Sequence, residues 1–298
     1  HPSEITTLIK DARKYDKAAS TFIQGYILDK ETKGRIYGQF HQLRGEEGGT
    51  VVGRMSSSLP NWQNLPARDA EIGPMVRGLF LPEDGCSWDV ADFSQIQFRL
   101  IVSLGIGKSA EAARELYNIN PATDFHDMVS DMILESTGER WERKIVKNVN
   151  FATAFTGGSA TVARQLGITR EKAQEFIDKY QKSLPFIKDT SAKAASVASQ
   201  RGYIFDIVGR RHRFPFWEPR EWKLRDKVKM SKDKEAVEKE VAALGGRGVV
   251  RAMTHLSLNR LAQSGEGITM KKALVDSYND GVFDVINFPE NIVHDDIN

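Results

Sequence analysis

The stretch Trp88–Arg99, WDVADFSQIQFR, constrains the fold more than any other part of the sequence. The residues before Asp92 are rich in β-formers and partly alternate, whereas apolar residues from Ile96 to Leu104 recur at roughly helical spacing. This pattern predicts a strand that ends near Asp92 and a helix that follows it. An aspartate at such a junction is more often an N-cap or a turn residue than a catalyst. A catalytic role for Asp92 therefore requires a second carboxylate.

A second acidic strand end is found in Val285–Ile297, VINFPENIVHDDI. There an apolar run leads into His294, Asp295 and Asp296. A solvent-exposed strand end would explain one aspartate. Two acidic strand ends can instead hold two divalent ions about 3.5–4 Å apart that promote phosphoryl transfer, and Mg²⁺ suits such oxygen ligands. These residues alone leave both interpretations open.

Composition limits the class of protein. The 298 residues suffice for one large domain or two to three small ones, at about 100–200 residues per domain. No apolar run could span a membrane and no signal peptide is visible, so we expect no membrane association. The single cysteine, Cys86, excludes a disulfide within this chain, and we expect it to be a buried small hydrophobe.

Positive charge concentrates between Arg210 and Lys234, where ten basic residues outnumber four acidic ones. The same segment contains Phe214, Phe216, Trp217 and Trp222. Such a run is usually a solvated surface, but basic residues interleaved with aromatic ones also suit nucleic-acid binding. The sequence favours neither interpretation.

The segment Gly53–Arg68, GRMSSSLPNWQNLPAR, is polar and has no secondary-structure period. Its side chains suited to phosphate and base-edge hydrogen bonds are Arg54, Asn61, Gln63, Asn64 and Arg68. A surface loop would have a similar composition, so this signal is weak by itself.

A stripe of four residues repeats every four positions in the segment that follows Glu142. Arg143, Lys147, Phe151 and Phe155 would share one face of a helix. Two cations followed by two aromatic rings could hold a triphosphate at one end and a base and sugar at the other. The alternative is an amphipathic helix with a basic end and a buried aromatic end. His126, at helical spacing from its apolar neighbours, is either structural or phosphate-contacting.

The remaining pattern gives a coarse secondary structure. We expect helices over 5–19, 109–141 with a break at 118–124, 162–166, 171–180 and 185–200; short strands over 22–40; a strand over 75–81; a hairpin over 202–215; and a long helix over 249–278. In that last helix His255, Asn259 and Gln263 would lie four apart on one face, a register usually facing solvent.

With both carboxylates and the stripe in view, the chain resembles the polymerase domain of family A DNA polymerases, the group of bacterial DNA polymerase I and its phage relatives. Six segments carry the resemblance, in order: GRMSSSLPNWQNLPAR, DFSQIQFR, RKIVKNVNFATAF, GYIFDIVGRRHRFP, LNRLAQSG and NIVHDD. It implies an α+β right-hand fold with an antiparallel-sheet palm (21–120 and 248–298), helical fingers (121–247) and a thumb largely absent, with a remnant at 1–20. It also implies a further strand and helix beyond Asn298.

The resemblance assigns roles residue by residue. Metal ligands would be Asp92, Asp295 and the Phe93 backbone carbonyl, holding two Mg²⁺ ions for which Mn²⁺ could substitute. Catalytic residues would be Asp92, Asp295, Arg143 and Lys147. Nucleotide contacts would come from Arg68, Gln95, Gln97, His126, Arg143, Lys147, Phe151 and Phe155. DNA contacts would come from Arg54, Asn61, Gln63, Asn64, His255, Asn259, Gln263 and His294.

The implied activity is template-directed addition of deoxynucleotides to a primer 3′-hydroxyl, with primer-template DNA and dNTPs as partners. It would act in the cytoplasm of a bacterium or of a phage-infected host. Gln97 and Phe155 stand where the family usually has Glu and Tyr, which removes a hydrogen bond and leaves sugar discrimination mainly steric. His255 and Asp296 also depart from the usual Arg and Glu. Rival hypotheses are a reverse transcriptase or relaxed-template polymerase, and a non-catalytic primer-template binding module.

Overall fold

The structure is a computed structural model that describes residues 4–43, 48–67, 69–155, 157–289, 291–293 and 296–297. Arg68, His294 and Asp295 lie outside these residues. The chain divides into two compact units, His1–Ser94 with Gly267–Asn298 and Gln95–Glu266. Helices and small antiparallel sheets confirm the α+β class. The limits of thumb, palm and fingers stay predictions.

The helices are listed here in chain order. They are α1 Glu4–Lys17, α2 Ile72–Arg77, α3 Ile96–Leu104, α4 Lys108–Ile119, α5 Phe125–Thr137, α6 Arg143–Ala154, α7 Ser159–Leu166, α8 Arg170–Ser183, α9 Pro185–Arg201, α10 Lys234–Ala243, α11 Ser257–Asn279 and α12 Phe283–Ile286. A π-helical segment, Ala18–Leu28, follows α1, and 3₁₀ turns span Trp62–Asn64, Trp222–Leu224 and Thr254–Leu256.

The strands are short and pair antiparallel. They are β1 Glu31–Thr32, β2 Arg35–Ile36, β3 Gln39–His41, β4 Ser56–Ser58, β5 Ala91–Asp92, β6 Tyr203–Phe205, β7 Arg211–Arg213, β8 Trp217–Pro219, β9 Val249–Arg251, β10 Ile292–Val293 and β11 Asp296–Ile297. β10, β11 and β5 form a three-stranded sheet in that order, and the other strands pair as β1–β2, β3–β4, β6–β7 and β8–β9.

The first unit has a small core. One element of that core is a helix, α2, where the sequence analysis predicted a strand. The strand predicted over Met75–Leu81 is wrong, because α2 occupies its first part. Asp69 accepts hydrogen bonds from two backbone N–H groups at the start of α2, at 3.0 and 2.9 Å. Residues one helical turn apart on α2 and on the π-helical segment then form a buried cluster of Ala18, Phe22, Ile72 and Val76. The same cluster explains why the first third of the region predicted as strands (22–40) is helical.

The prediction for Cys86 is also wrong, since its side chain is exposed. Its backbone N–H donates to the carbonyl of Glu83 at 2.9 Å, which closes a turn. Every residue from Leu81 to Asp92 is solvent-exposed, so the chain on either side of the thiol does not bury it.

The second unit is mainly helical, and its core confirms the helices predicted between 109 and 200. Apolar residues from α3 to α9 and α11 form one cluster whose most buried members include Ile101, Phe125, Val129, Ile133, Val146, Val149, Val162, Tyr180 and Phe186. The hairpin predicted over 202–215 is present as β6–β7, with Ile204 opposite His212. Helix α6 packs within this cluster through Val146 and Val149. This packing fixes the direction in which its four-residue stripe points.

The long helix predicted from Val249 begins later. β9 pairs with β8, so the first residues of the predicted helix are a strand. Met253 has a φ of 62°, which no α-helix accommodates, and α11 starts only at Ser257. Although α11 has 23 residues, no helix in the described part of the chain is long and apolar enough to cross a membrane.

A buried carboxylate joins the β6–β7 hairpin to α11 within the second unit. Asp206 accepts hydrogen bonds from the N–H groups of Val208 (3.1 Å) and Arg210 (2.9 Å) across the turn. It also accepts from Ser264 Oγ at 2.6 Å and lies 3.0 Å from His212 Nε2. Burial raises the pKa of Asp206, but the hydrogen bonds from Ser264 and the other donors outweigh burial and leave the pKa lowered.

We expect Asp206→Ala to destabilise the chain by about 3–5 kcal/mol, because it leaves buried donors unpaired. The exposed Asp280→Ala is the matched control. A depressed carboxyl pKa contributes stability above its unfolded value, about 3.9, and loses it as pH falls through the folded value. Urea unfolding from pH 7 to pH 3 should show the difference between wild type and Asp206→Ala shrinking below about pH 4. A difference that is absent at pH 7, or grows in acid, would contradict the role given to Asp206.

Candidate active site

Asp92 occupies the strand end that the sequence predicts. It is the last residue of β5, and its antiparallel partner is β11, with Asp296 opposite Asp92 and Ile297 opposite Ala91. The Asp92 side chain is exposed and has no hydrogen bond or ion pair among the described residues. An exposed, unpartnered carboxylate at a strand end is suited to binding a hard cation. Phe93, the next residue, is half-buried.

A side-chain amide joins the polar segment of the first unit to the same sheet. Gln63 Nε2 donates to the carbonyls of Met55 (3.1 Å) and Ile292 (3.2 Å), the latter on β10. Asn61 Oδ1 caps the 3₁₀ turn by accepting from the Gln63 N–H at 3.1 Å. Three predicted DNA-binding residues, Asn61, Gln63 and the exposed Asn64, therefore belong to a segment held against the sheet that carries Asp92.

Arg54 precedes that segment and lies against the part of α11 that belongs to the first unit. A Cβ added to Gly267 would lie 3.0 Å from the backbone of Arg54, tighter than an ordinary van der Waals contact, so glycine favours this close approach. Arg54 itself is half-buried. The backbone of Arg54, a residue predicted to contact DNA, is therefore fixed by packing.

The second unit contains a carboxylate that connects three helices. Asp124 caps α5, accepting from the N–H groups of His126 (2.8 Å) and Asp127 (3.1 Å). Its other oxygen accepts from Arg143 Nη2, on α6, at 2.6 Å and from the side-chain amide of Gln95, just before α3. Burial raises the pKa of Asp124, yet the N–H groups and the Arg143 charge leave it lowered.

Gln95 has a second contact that aligns it with α5. Its Oε1 accepts from the Phe125 N–H at 2.7 Å, and its own backbone is left-handed, with φ 54° and ψ 34°. The Gln95 carbonyl accepts from Phe98 and Arg99, which starts α3. Gln97, on the first turn of α3, is half-buried.

His126 is buried on α5 and hydrogen-bonded to α6. Its Nδ1 lies 2.7 Å from the side-chain nitrogen of Asn150, which is fully buried. Burial lowers the pKa of His126; Asp124 opposes this effect, and the Arg143 and Lys147 cations lower the pKa further. The imidazole is therefore neutral at pH 7, with one ring nitrogen committed to Asn150.

The four-residue stripe lies on one face of α6, as predicted. Arg143 is its first residue and is also 3.4 Å from Asp127. Lys147 is exposed, with no ion pair among the described residues. At the other end, Phe151 is 40% exposed and Phe155, directly after the helix, is half-buried. Cations and aromatic rings thus occupy opposite ends of the same face.

The ring of Phe98, on α3, contacts aromatic residues of α5 and α6. Its ring is stacked on Phe125 at 4.5 Å and meets Phe151 edge-on at 5.0 Å. His126 (5.1 Å) and Phe155 (6.2 Å) approach the same ring, and Phe151 and Phe155 are 5.7 Å apart. The exposed ring of Phe151 is therefore supported from behind by a buried aromatic cluster.

His255, Asn259 and Gln263 were predicted to share one helix face, but only Asn259 and Gln263 lie on α11. Asn259 and Gln263 are half-buried on α11, and Asn259 Oδ1 is buried without a partner among the described residues. His255 is exposed on the preceding 3₁₀ turn and lines a cavity of about 330 Å³ with Thr153 and Tyr180. The shared face predicted for His255 is therefore wrong, because α11 begins after it.

The sequence analysis did not identify three residues that contact the predicted nucleotide-binding side chains. Asp124, Asn150 and Phe98 hold the predicted nucleotide-binding residues in position. Asp124 carries a usable signal, since an aspartate directly before a helix is a preferred N-cap. Phe98 carries none, because a helical apolar pattern does not identify which ring contacts three helices. Asn150 carries none either, because its partner His126 lies 24 residues away on another helix. Among the described residues no three His, Cys, Asp or Glu side chains form a metal-binding cluster.

The fold has a solved counterpart. The structure matches, with a TM-score of 0.65 and 23% sequence identity, the POL domain of Pol1 from M. smegmatis in complex with DNA primer-template and dNTP. The match covers 96% of this chain and 45% of that one. The fold is therefore that of a DNA polymerase domain.

Sequence comparison gives the family. The family model for DNA polymerase family A matches residues 1–244. DNA polymerase DpoZ of Salmonella phage PMBT28 is 30% identical, over 72% of this chain and 38% of that protein. A DNA-directed DNA polymerase of Pseudomonas phage M6 is 29% identical, over 100% of this chain and 46% of that protein. The chain belongs to DNA polymerase family A, and it spans less than half the length of these relatives.

We expect Lys147→Gln to raise the pKa of His126, because it removes a cation that lowers it. NMR titration of the histidine ring signals, assigned with a His126→Gln variant, measures this shift. Lys144→Gln, which removes an exposed cation from the same helix, is the control and should leave the His126 pKa unchanged. An equal rise in both variants, or a fall in Lys147→Gln, would show that the stripe does not direct Lys147 toward His126.

Proposed function

We propose that this chain is the polymerase domain of a DNA-directed DNA polymerase, which adds deoxynucleotides to a primer 3′-hydroxyl and releases pyrophosphate. The observation that carries the proposal is the α6 face, with two cations at its start and aromatic rings at its end. Membership of family A and the exposed Asp92 support the same activity. Because the chain spans only part of its relatives, the activity is proposed for it and not transferred from them.

The start of α6 suits the triphosphate of an incoming nucleotide. Arg143 is the first helical residue, so the positive end of the helix dipole adds to its charge. Lys147 lies one turn later on the same face and is exposed. Arg143 would exchange part of its contact with Asp124 and Asp127 for phosphate oxygens and, with Lys147, offset the charge of the departing pyrophosphate.

The neutral His126 would donate a hydrogen bond to a phosphate oxygen from its second ring nitrogen. Asn150 holds the first nitrogen, which fixes the ring plane. Because burial and Asn150 fix the ring, its contribution would be to orient the phosphate. Arg68, outside the described residues, would add a further phosphate contact.

The end of α6 suits the base and sugar. Phe151 presents an exposed ring backed by Phe98, and a base could stack on it without displacing the core. Gln97 and Phe155 would limit space near the sugar by bulk, while Gln95 would orient the start of α5. In this arrangement discrimination against a ribose 2′-hydroxyl is mainly steric.

Asp92, the Phe93 carbonyl and Asp295 would hold two Mg²⁺ ions, or Mn²⁺ in their place. The described part of this set fits such ions, because the Asp92 carboxylate is exposed and unpartnered among the described residues. When bound, these ions would supply activation of the 3′-hydroxyl and neutralisation of phosphate charge. The protein's own part is to keep Asp92 at the end of a paired strand.

Primer-template DNA is the proposed partner. Amide, guanidinium and imidazole side chains would contact its backbone and base edges, namely Arg54, Asn61, Gln63, Asn64, His255, Asn259, Gln263 and His294. The solved relative was captured with DNA primer-template and dNTP, which supports these partners. Extension on matched DNA and RNA templates separates a DNA-directed enzyme from a relaxed-template polymerase or reverse transcriptase.

We expect Asp92→Ala to reduce primer extension about a hundredfold or more, because loss of a metal ligand removes several kcal/mol of transition-state stabilisation. Single-nucleotide extension with Mg²⁺ and dNTPs measures the effect. Asp89→Ala, three residues earlier and also exposed, is the control and should keep full activity. Equal activity in the two variants would refute the role of Asp92. Primer-template binding without extension in the wild type would favour the non-catalytic binding module.

We expect Arg143→Ala to lower kcat/KM for dNTP about 10- to 100-fold, since a charge-assisted hydrogen bond contributes about 1.5–3 kcal/mol. Arg140→Ala is the control, because Arg140 is an exposed arginine whose contact is an ion pair with Asp131 at 3.3 Å. Steady-state kinetics with varied dNTP, and urea unfolding of both variants, separate nucleotide binding from folding. Similar kinetic losses in both variants would argue against a triphosphate site at the start of α6.

A further inference from the structure

The second unit carries a small lobe with a core of its own. Residues 216–251, here called the basic lobe, begin and end on neighbouring strands, because β8 pairs with β9. Its buried side chains are Leu224, Val228, Val237, Val241 and Val249, with Trp217 packed against them. Asp233 caps α10 by accepting from the Ala236 N–H at 3.1 Å. The lobe is therefore folded around its own apolar contacts, and its polar surface is available for another use.

The segment of the lobe between β8 and α10 carries an excess of positive charge. Between Arg220 and Lys232 there are six basic residues and two acidic ones. Lys227 and Lys229 are exposed and have no ion pair within the described ranges. Since Val228 lies between them and points into the lobe's core, the two lysines are held near each other at the surface. Such charges attract a phosphate backbone.

One exposed aromatic ring is held in place by a fixed cation. Trp222 is 78% exposed. The Arg225 guanidinium lies 5.3 Å from its ring centroid and is itself fixed by Glu218 at 2.9 Å and by the Pro219 carbonyl at 3.1 Å. The indole therefore presents an accessible surface whose orientation is set before any ligand arrives.

A second aromatic residue is paired in the same way. Phe216 is 37% exposed, with Lys232 Nζ 5.8 Å from its ring centroid. Lys232 follows Ser231, which exchanges two backbone hydrogen bonds with Trp217, at 2.7 and 3.2 Å. This bridge keeps Lys232 beside Phe216. The lobe thus presents aromatic rings and cations in alternation.

We propose that the basic lobe binds single-stranded nucleic acid, with a base stacked on Trp222 and phosphates held by Lys227 and Lys229. Unpaired bases stack on aromatic rings while cations follow the backbone, whereas a duplex keeps its base faces covered. An anionic membrane would also attract these cations, and the vesicle experiment below distinguishes it from a nucleic acid. In the proposed reaction this strand would be the unpaired template, a placement that rests on the proposed function.

Binding of the full chain to a fluorescein-labelled oligothymidylate, followed by anisotropy without Mg²⁺ or dNTP, tests the proposal. We expect Trp222→Ala to weaken binding about tenfold, because one stacked base is lost, and Trp222→Phe to retain most of it. Tyr278→Ala is the matched control, since Tyr278 is 63% exposed and lies outside the lobe. Equal losses for Trp222→Ala and Tyr278→Ala would overturn the proposal.

The salt dependence tests the lysines separately. Lys227→Gln with Lys229→Gln should reduce the slope of log K against log salt by about 1.4, at about 0.7 for each single-strand phosphate. The exposed pair Lys182→Gln with Lys193→Gln should leave the slope unchanged. An unchanged slope in the lobe variant would overturn the assignment of phosphate contacts to it.

Two further arms identify the ligand and the surface. Photocrosslinking to a 5-iodouracil oligonucleotide should label the peptide that contains Trp222, and crosslinks found only elsewhere would overturn the proposal. Binding to phosphatidylserine vesicles that is lost in the lobe variants, with oligonucleotide binding intact, would overturn it in favour of a membrane. Oligonucleotide binding by a chain that extends no primer would support the lobe and remove only the proposed activity, so the two failures are distinguishable.

Discussion

The carboxylate of Asp124 is the interaction on which the candidate nucleotide site depends. Its two oxygens accept from two N–H groups of α5, from Arg143 on α6 and from Gln95 at the start of α3. One negative charge therefore sets the starts of three helices. Because the charge is partly buried, it requires these donors, and three of the four belong to residues predicted to contact a nucleotide, namely Gln95, His126 and Arg143.

At the other end of α6, the aromatic cluster around Phe98 holds Phe151 and Phe155 in position. An exposed phenylalanine on a helix would normally change rotamer freely, but Phe151 has a buried ring behind it and Phe155 beside it. Cations and aromatic rings are thus held at a fixed spacing along one helix. A nucleotide has negative charge at one end and an aromatic base at the other whose face can stack, which is why this arrangement suits it.

The first unit holds an exposed carboxylate, Asp92, in place although it has few buried apolar residues. Its core is small, and strand pairing together with the Gln63 amide holds Asp92 and the polar segment to one sheet. Backbone and amide hydrogen bonds are directional, so they can fix an exposed carboxylate without burying it. Burial would instead take the charge of Asp92 out of water, which costs free energy unless the charge is paired.

Features that depend on neighbouring residues in the chain could be predicted from the sequence. The strand-to-helix junction at Asp92, the stripe on α6 and the β6–β7 hairpin all follow from local periodicity and turn residues. In contrast, the helical position of Met75, the exposure of Cys86 and the hydrogen bond between His126 and Asn150 are visible only in the folded chain. These outcomes depend on groups distant in sequence, such as Ala18 and Phe22 for α2. Side-chain pairing across helices leaves no periodic signal, because it depends on which helices pack together and not on the spacing of residues within one helix.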